Sequence, residues 1–158
     1  MIDLKQDELE KKIVKPFERI ARLYNTLEQT TSTYGTDVPL YPAEIHALTA
    51  IGDHPHSSLT ELTKYLGVTK GTTTKIVQKL VKKGMVVKEF APNSENQVVT
   101  SLTNQGKTAY QHHADYDRYL NEQLIAIYQQ VPTDLLPYLS TIASQSEAFF
   151  EKMIAERQ

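Results

Sequence analysis

The stretch from Ser58 to Gly84, SLTELTKYLGVTKGTTTKIVQKLVKKG, most limits what this chain can fold into. Ser58 and Glu61 have the spacing of a capping box, where side chain and backbone satisfy each other's open groups at a helix start. Leu59, Leu62 and Leu66 then fall on one inward face. Gly67 ends that helix, because glycine accepts the left-handed backbone required at a helix C-terminus. Only Val68 and Thr69 follow before a second helical pattern, expected from about Lys70 to Lys83 with Ile76, Val77, Leu80 and Val81 as its buried stripe. Two short helices joined by so tight a glycine turn form a helix-turn-helix.

The flanking sequence completes the outline. Gly84 stops the second helix, and MVVKEF and QVVTSLT read as two strands separated by the turn-rich loop APNSEN, hence a hairpin. Upstream, Pro42 suits the first turn of a helix with Ile45, Leu48 and Ile51 inward, ending at Gly52. From Asp3 to about Thr31, Ile13, Phe17, Ile20, Tyr24 and Leu27 recur at steps of three and four, which predicts a long amphipathic helix kinked or restarted at Pro16. After the hairpin, helices are expected from about Asn104 to Gln130 and from Thr133 or Asp134 onward. The fold class is mainly α with a small β-hairpin wing. We expect an N-terminal helical segment at 1–40, a winged helix-turn-helix at 41–103 with its wing at about 85–103, and C-terminal helices at 104–158. The apolar stripes of the outer helices exceed what so small a winged unit could cover, so they predict a homodimer interface.

Charge then separates the functional classes. The chain has a formal net charge of -2, yet residues 64–88 hold seven lysines and no Asp or Glu. Most lysine runs are solvated helix faces. Here the run follows a tight helix-turn-helix and includes TTT, although threonine's branched β-carbon makes it a poor helix former. Hydroxyls and methyls near the start of a groove-entering helix suit phosphates and thymine at close range, and lysines supply the sequence-independent attraction to phosphate. Cysteine is absent, which excludes disulfides, thiolate ligands and thiol redox switching. No apolar run approaches a membrane span and the N-terminus lacks a secretory apolar core, so a cytoplasmic protein is expected.

The order of these elements, with LTELTKYLGVTKGTTTKIVQKLVKKGMV and SLTNQGK, resembles the MarR family of bacterial transcriptional regulators. The strongest match is Leu59 to Val86 with Ser101, Leu102, Thr103 and Gly106. The resemblance implies a homodimer, and most simply a repressor, reading a palindromic site in double-stranded DNA without a required cofactor. The candidate DNA contacts are Ser58, Thr69, Lys70, Thr72, Thr73, Thr74, Lys75, Gln78, Lys79, Lys88, Asn96 and Gln97. Where the family carries a wing-tip arginine this chain has Asn96, beside Gln97, and the loop PNSENQ holds Glu95 and no cation. Wing contacts are therefore expected from Lys88 and from polar hydrogen bonds.

An input is also implied. His113 and Asp117 are four apart on one helix face, and the family fold would bring them near His46 and Glu28. This set of nitrogen and oxygen donors suits zinc and resembles the zinc-responsive branch of the family, with Asp117 where that branch has histidine. His112 and Glu44 are alternative donors. Both histidine positions also read as ordinary helix residues, and the loop His54-Pro55-His56 reads as a plain loop. The commoner family input is a small aromatic molecule, with which Tyr24, Tyr34 and Tyr41 are compatible. A winged module for protein contact is the rival class. A hydrolase on His112, His113 and Asp117 lacks any accompanying catalytic motif.

Overall fold

The computed structural model describes residues 4–157. Two compact units are present, one ending at Asp115 and the other beginning at Tyr116. In the first, α1 (Leu4–Leu9) runs through a π-helical turn (Glu10–Val14) into α2 (Lys15–Glu28). Pro16 explains the turn. Proline has no N–H to donate and its ring crowds the carbonyl four residues back, so one residue of slack is inserted just before it, with the Lys15 N–H reaching back to Glu10 O. The kink expected at Pro16 thus takes the form of a π-turn. Asp3, where the sequence reading started this helix, lies outside the described residues.

Next come α3 (Pro42–Asp53), α4 (Leu59–Leu66) and α5 (Lys70–Lys82). Ser58 caps α4 as expected: its hydroxyl accepts from the Glu61 N–H, and Glu61 Oε2 accepts from the Ser58 N–H at 2.8 Å. Gly67 is left-handed at φ 62°. Thr69 caps α5 through the Thr72 N–H. Leu48, Ile51, Leu62, Val77 and Leu80 close a core beneath the three helices.

The stripe of α5 differs from expectation. Val77 and Leu80 are buried and Ile76 packs against the core, but Val81 is exposed and Thr73 takes the remaining place. Positions 73, 77 and 80 share one helical face, and the turn at Val68-Thr69 points that face inward.

The hairpin pairs β1 (Val86–Ala91) with β2 (Ser94–Leu102) antiparallel, Phe90 opposite Val98, with a bulge before Ala91. Its loop is shorter than APNSEN, because Ser94 already pairs with Ala91. An isolated bridge from Ser57 to Thr100 ties the wing to the segment before α4.

Then α6 (Asn104–Tyr128) begins. Gly106 lies so close to the core that a β-carbon there would meet Met85 O at 2.0 Å. Farther along, the Tyr110 hydroxyl donates to Asp53 Oδ1 at 2.6 Å, which raises the Tyr110 pKa. In the motif SLTNQGK, Gly106 permits the close approach to Met85, and Thr103 Oγ1 donates to Gly84 O at 2.6 Å and accepts from the Gly106 N–H at 3.0 Å. In the second unit a short 3-10 turn (Thr133–Leu135) leads into α7 (Leu136–Ala155). No helix among the described residues is long and apolar enough to cross a membrane.

Candidate nucleic-acid interface

The outer face of α5 carries the chemistry. Lys70, Thr72, Lys75, Gln78 and Lys79 are exposed, and so are Lys64 on α4 and Lys88 on the wing. Gly71, which sequence reasoning passed over, adds to this face. A β-carbon built on Gly71 meets nothing within 4 Å, so the first turn of α5 is open to close approach by a phosphate. Its signal was a glycine in the first turn of a helix that a better helix former would have served.

The candidate contacts sort by exposure and hydrogen bonding. Thr69 and Thr72 are exposed and bond each other's hydroxyls at 2.9 Å. Thr74 is half-buried and donates to Lys70 O at 2.8 Å, a bond within its own helix. Thr73 requires a correction. It is fully buried; its hydroxyl donates to Thr69 O at 3.2 Å and accepts from Thr63 Oγ1 at 3.1 Å. Thr73 therefore locks α4 to α5 and cannot touch DNA. Ser58 is half-buried, and its hydroxyl donates to Glu61 Oε2 at 2.8 Å. These bonds hold the Glu61 carboxyl below its ordinary pKa, the Ser58 backbone N–H being the main cause and the Ser58 hydroxyl the second.

Lys83 departs from the cationic face as well. Its Nζ donates to Glu44 Oε2 at 2.6 Å and to Pro39 O at 2.8 Å, and lies 5.0 Å from the centre of the Tyr41 ring. Glu44 is consequently Lys83's partner.

On the wing, Asn96 and Gln97 are exposed, with the Asn96 N–H bonded to Ser94 Oγ at 3.3 Å. Phe90 is 66% exposed and faces Val98 at 46%, an apolar pair near the tip that sequence reasoning did not single out. The wing base is pinned by His56, which the sequence reading took for part of a plain loop. Its N–H donates to Thr100 O at 3.2 Å, and its Nδ1 lies 3.3 Å from Ser101 Oγ and 3.4 Å from Glu89 Oε1. Ser101 Oγ also donates to Glu89 Oε1. His54 stacks on Tyr65 with centroids 3.9 Å apart.

The proposed sensing set is only partly gathered. His46 Nε2 lies 3.5 Å from Glu28 Oε2. His113 packs against the Tyr34 ring at 5.6 Å, and His112 covers Gly35, where a β-carbon would meet its ring at 2.3 Å. Asp117 belongs to the second unit. Among the described residues no group of three or more His, Cys, Asp or Glu side chains is poised to hold a metal.

Comparison with known proteins agrees with this architecture. The MarR family model matches residues 39–95, which span α3, α4, α5 and most of the wing. A Bacillus subtilis (strain 168) protein, the uncharacterized HTH-type transcriptional regulator YhjH, is 24% identical over 110 residues; the match covers 70% of this chain and 63% of that protein. This chain thus spans less than two thirds of the length of that relative. Among solved structures, the zinc-responsive MarR family member ZitR of Lactococcus lactis superimposes with a TM-score of 0.73 at 17% identity, covering 90% of this chain and 99% of that one. Streptococcus pneumoniae FabT, solved in complex with DNA, gives a TM-score of 0.65 at 18% identity, covering 93% and 98%. Residues 39–95, which hold the helix-turn-helix and the first part of the wing, thus match the MarR family, and the chain shares the winged helix-turn-helix fold of these solved structures.

Proposed function

We propose that this protein is a dimeric repressor that reads a palindromic operator with α5, its affinity set by a small ligand or metal. The observation that carries the reading is the outer face of α5, exposed and cationic above the inward stripe of Thr73, Val77 and Leu80. That division supplies an electrostatic footprint for phosphate and leaves the first turn of the helix free for base edges. FabT's structure with DNA supports the same use of the fold here. Dimerisation is supported by the apolar faces of α2 and α7. Phe17, Ile20 and Leu23 on the first, and Ile142, Phe149 and Ile154 on the second, are all more than half exposed in the single chain. A two-fold axis would set the two copies of α5 about 34 Å apart, facing successive major grooves.

A zinc-dependent version of this reading is favoured by one observation, the approach of His46 Nε2 to Glu28 Oε2. The donor chemistry suits zinc, although two donors alone do not complete a tetrahedral site. Fluorescence anisotropy on the duplex upstream of the protein's own gene, with added zinc and then with chelator, tests both versions. Zinc-dependent binding supports the metal, and equal binding in both conditions directs the search to organic ligands. No binding to any duplex leaves the winged unit as a protein-contact module.

A further inference from the structure

The second helix of the reading unit is held at two points, and the second of them is a charge pair on a buried carboxylate that the cationic face does not use. Near its start, Thr73 bonds Thr63 of α4. Just past its end, Lys83 reaches across to the beginning of α3. There Glu44 is 3% exposed, and its Oε2 accepts both from Lys83 Nζ at 2.6 Å and from the Tyr41 backbone N–H at 2.9 Å. Pro39 O and the Tyr41 ring complete the enclosure of the ammonium group. One carboxylate thus satisfies the open N–H at the head of α3 and anchors the tail of α5.

We infer that Lys83 and Glu44 are positioning residues for DNA reading, a clasp that fixes the tilt of α5 without either residue touching DNA. Thr73 and Lys83 are ten positions apart, about 15 Å along a helix. Fixing both ends leaves the helix no freedom to pivot, so Lys70, Lys75 and Lys79 meet the duplex in one register. A lysine over an exposed carboxylate would contribute little, since such pairs are screened and pay side-chain entropy. This pair is different: the carboxylate is buried, so removing Lys83 alone strands a charge, whereas neutralising both partners does not.

That asymmetry separates positioning from plain stability. The inference rests on the DNA-reading role proposed above. The variants are Lys83→Met and the double variant Lys83→Met with Glu44→Gln, each assayed for thermal unfolding and for duplex binding across a salt series. Lys83→Met is expected to lower the melting temperature and weaken binding by about tenfold, roughly the effect of one good base contact. In the double variant the melting temperature should return towards that of the parent while binding stays weak, because the buried charge is gone and the clasp is still open. In both, the salt slope should match the parent. Parent-like affinity in the double variant would overturn the inference, leaving the pair a stabilising contact only. A slope reduced by about 0.9 per lost phosphate contact would overturn it too, by making Lys83 a DNA contact. If Lys83→Met does not fold, the double variant alone decides between these outcomes. Should the parent bind no duplex, the DNA-reading proposal itself fails and the clasp's role goes with it.

Discussion

Thr72, Thr73 and Thr74 are chemically identical and adjacent, yet their surroundings give them three different tasks. Thr72 is exposed in the first turn of α5, Thr74 bonds its own helix, and Thr73 is sealed between α4 and α5. Replacing Thr73 by Val keeps its shape and removes its hydroxyl, so Thr63 loses a partner inside the interface. We expect a loss of about 1 kcal/mol in urea unfolding, the usual net worth of such a bond, together with weaker duplex binding, because one of the two anchors of α5 is released. A loss of affinity without a loss of stability would put Thr73 back on the DNA face. Little of this was readable from the sequence. Thr73 and Val81 compete for the same stripe, and helical periodicity tolerates either; the tight turn before α5 decides by setting the helix's rotation. Lys83 was unreadable for another reason, since its partner Glu44 lies 39 residues away.

At the scale of single elements, the local signals were strong and the structure follows them. The capping box at Ser58, the left-handed Gly67 and the cap at Thr69 each act within a few residues, so α4 and α5 begin and end where expected. The Glu61 carboxyl is held below its ordinary pKa by Ser58, so it favours the folded helix whenever it is ionised. A lowered folded-state pKa contributes stability above the unfolded value, about pH 4.3 for glutamate, and that contribution is lost as pH falls through the lower folded value. Ser58→Ala removes the hydroxyl and keeps the backbone N–H, so it should raise the Glu61 pKa part of the way in an NMR titration and weaken this part of the acid dependence. An unmoved Glu61 titration would show that the Ser58 hydroxyl does not help to hold it. The wing was less legible, because its anchoring is non-local: His56 and Ser57 reach Thr100 from more than forty residues away, and no short-range pattern marks that pairing.

At the scale of the whole molecule, a net charge of -2 coexists with a cationic helix face because charges of opposite sign are segregated along the chain. Segregation matters for binding, since a duplex responds to the local field within about a Debye length of the contact, not to the sum over the protein. The proposed dimer doubles that face and explains the exposed apolar residues of α2 and α7, which a monomer would leave in water. The sensing set was the least legible part. Its members lie on separate helices, and the sequence carries no distance information between them. The central claim is that α5 meets phosphate through its outer lysines, and the most direct measurement is duplex affinity as a function of salt for the parent and for Lys70→Ala/Lys75→Ala. The parent should lose affinity steeply with salt, and the variant should bind both specific and random duplex more weakly, with a slope shallower by about 0.9 for each phosphate contact removed. Unchanged affinity and an unchanged slope would contradict the account, because the helix assigned to DNA would not be touching it.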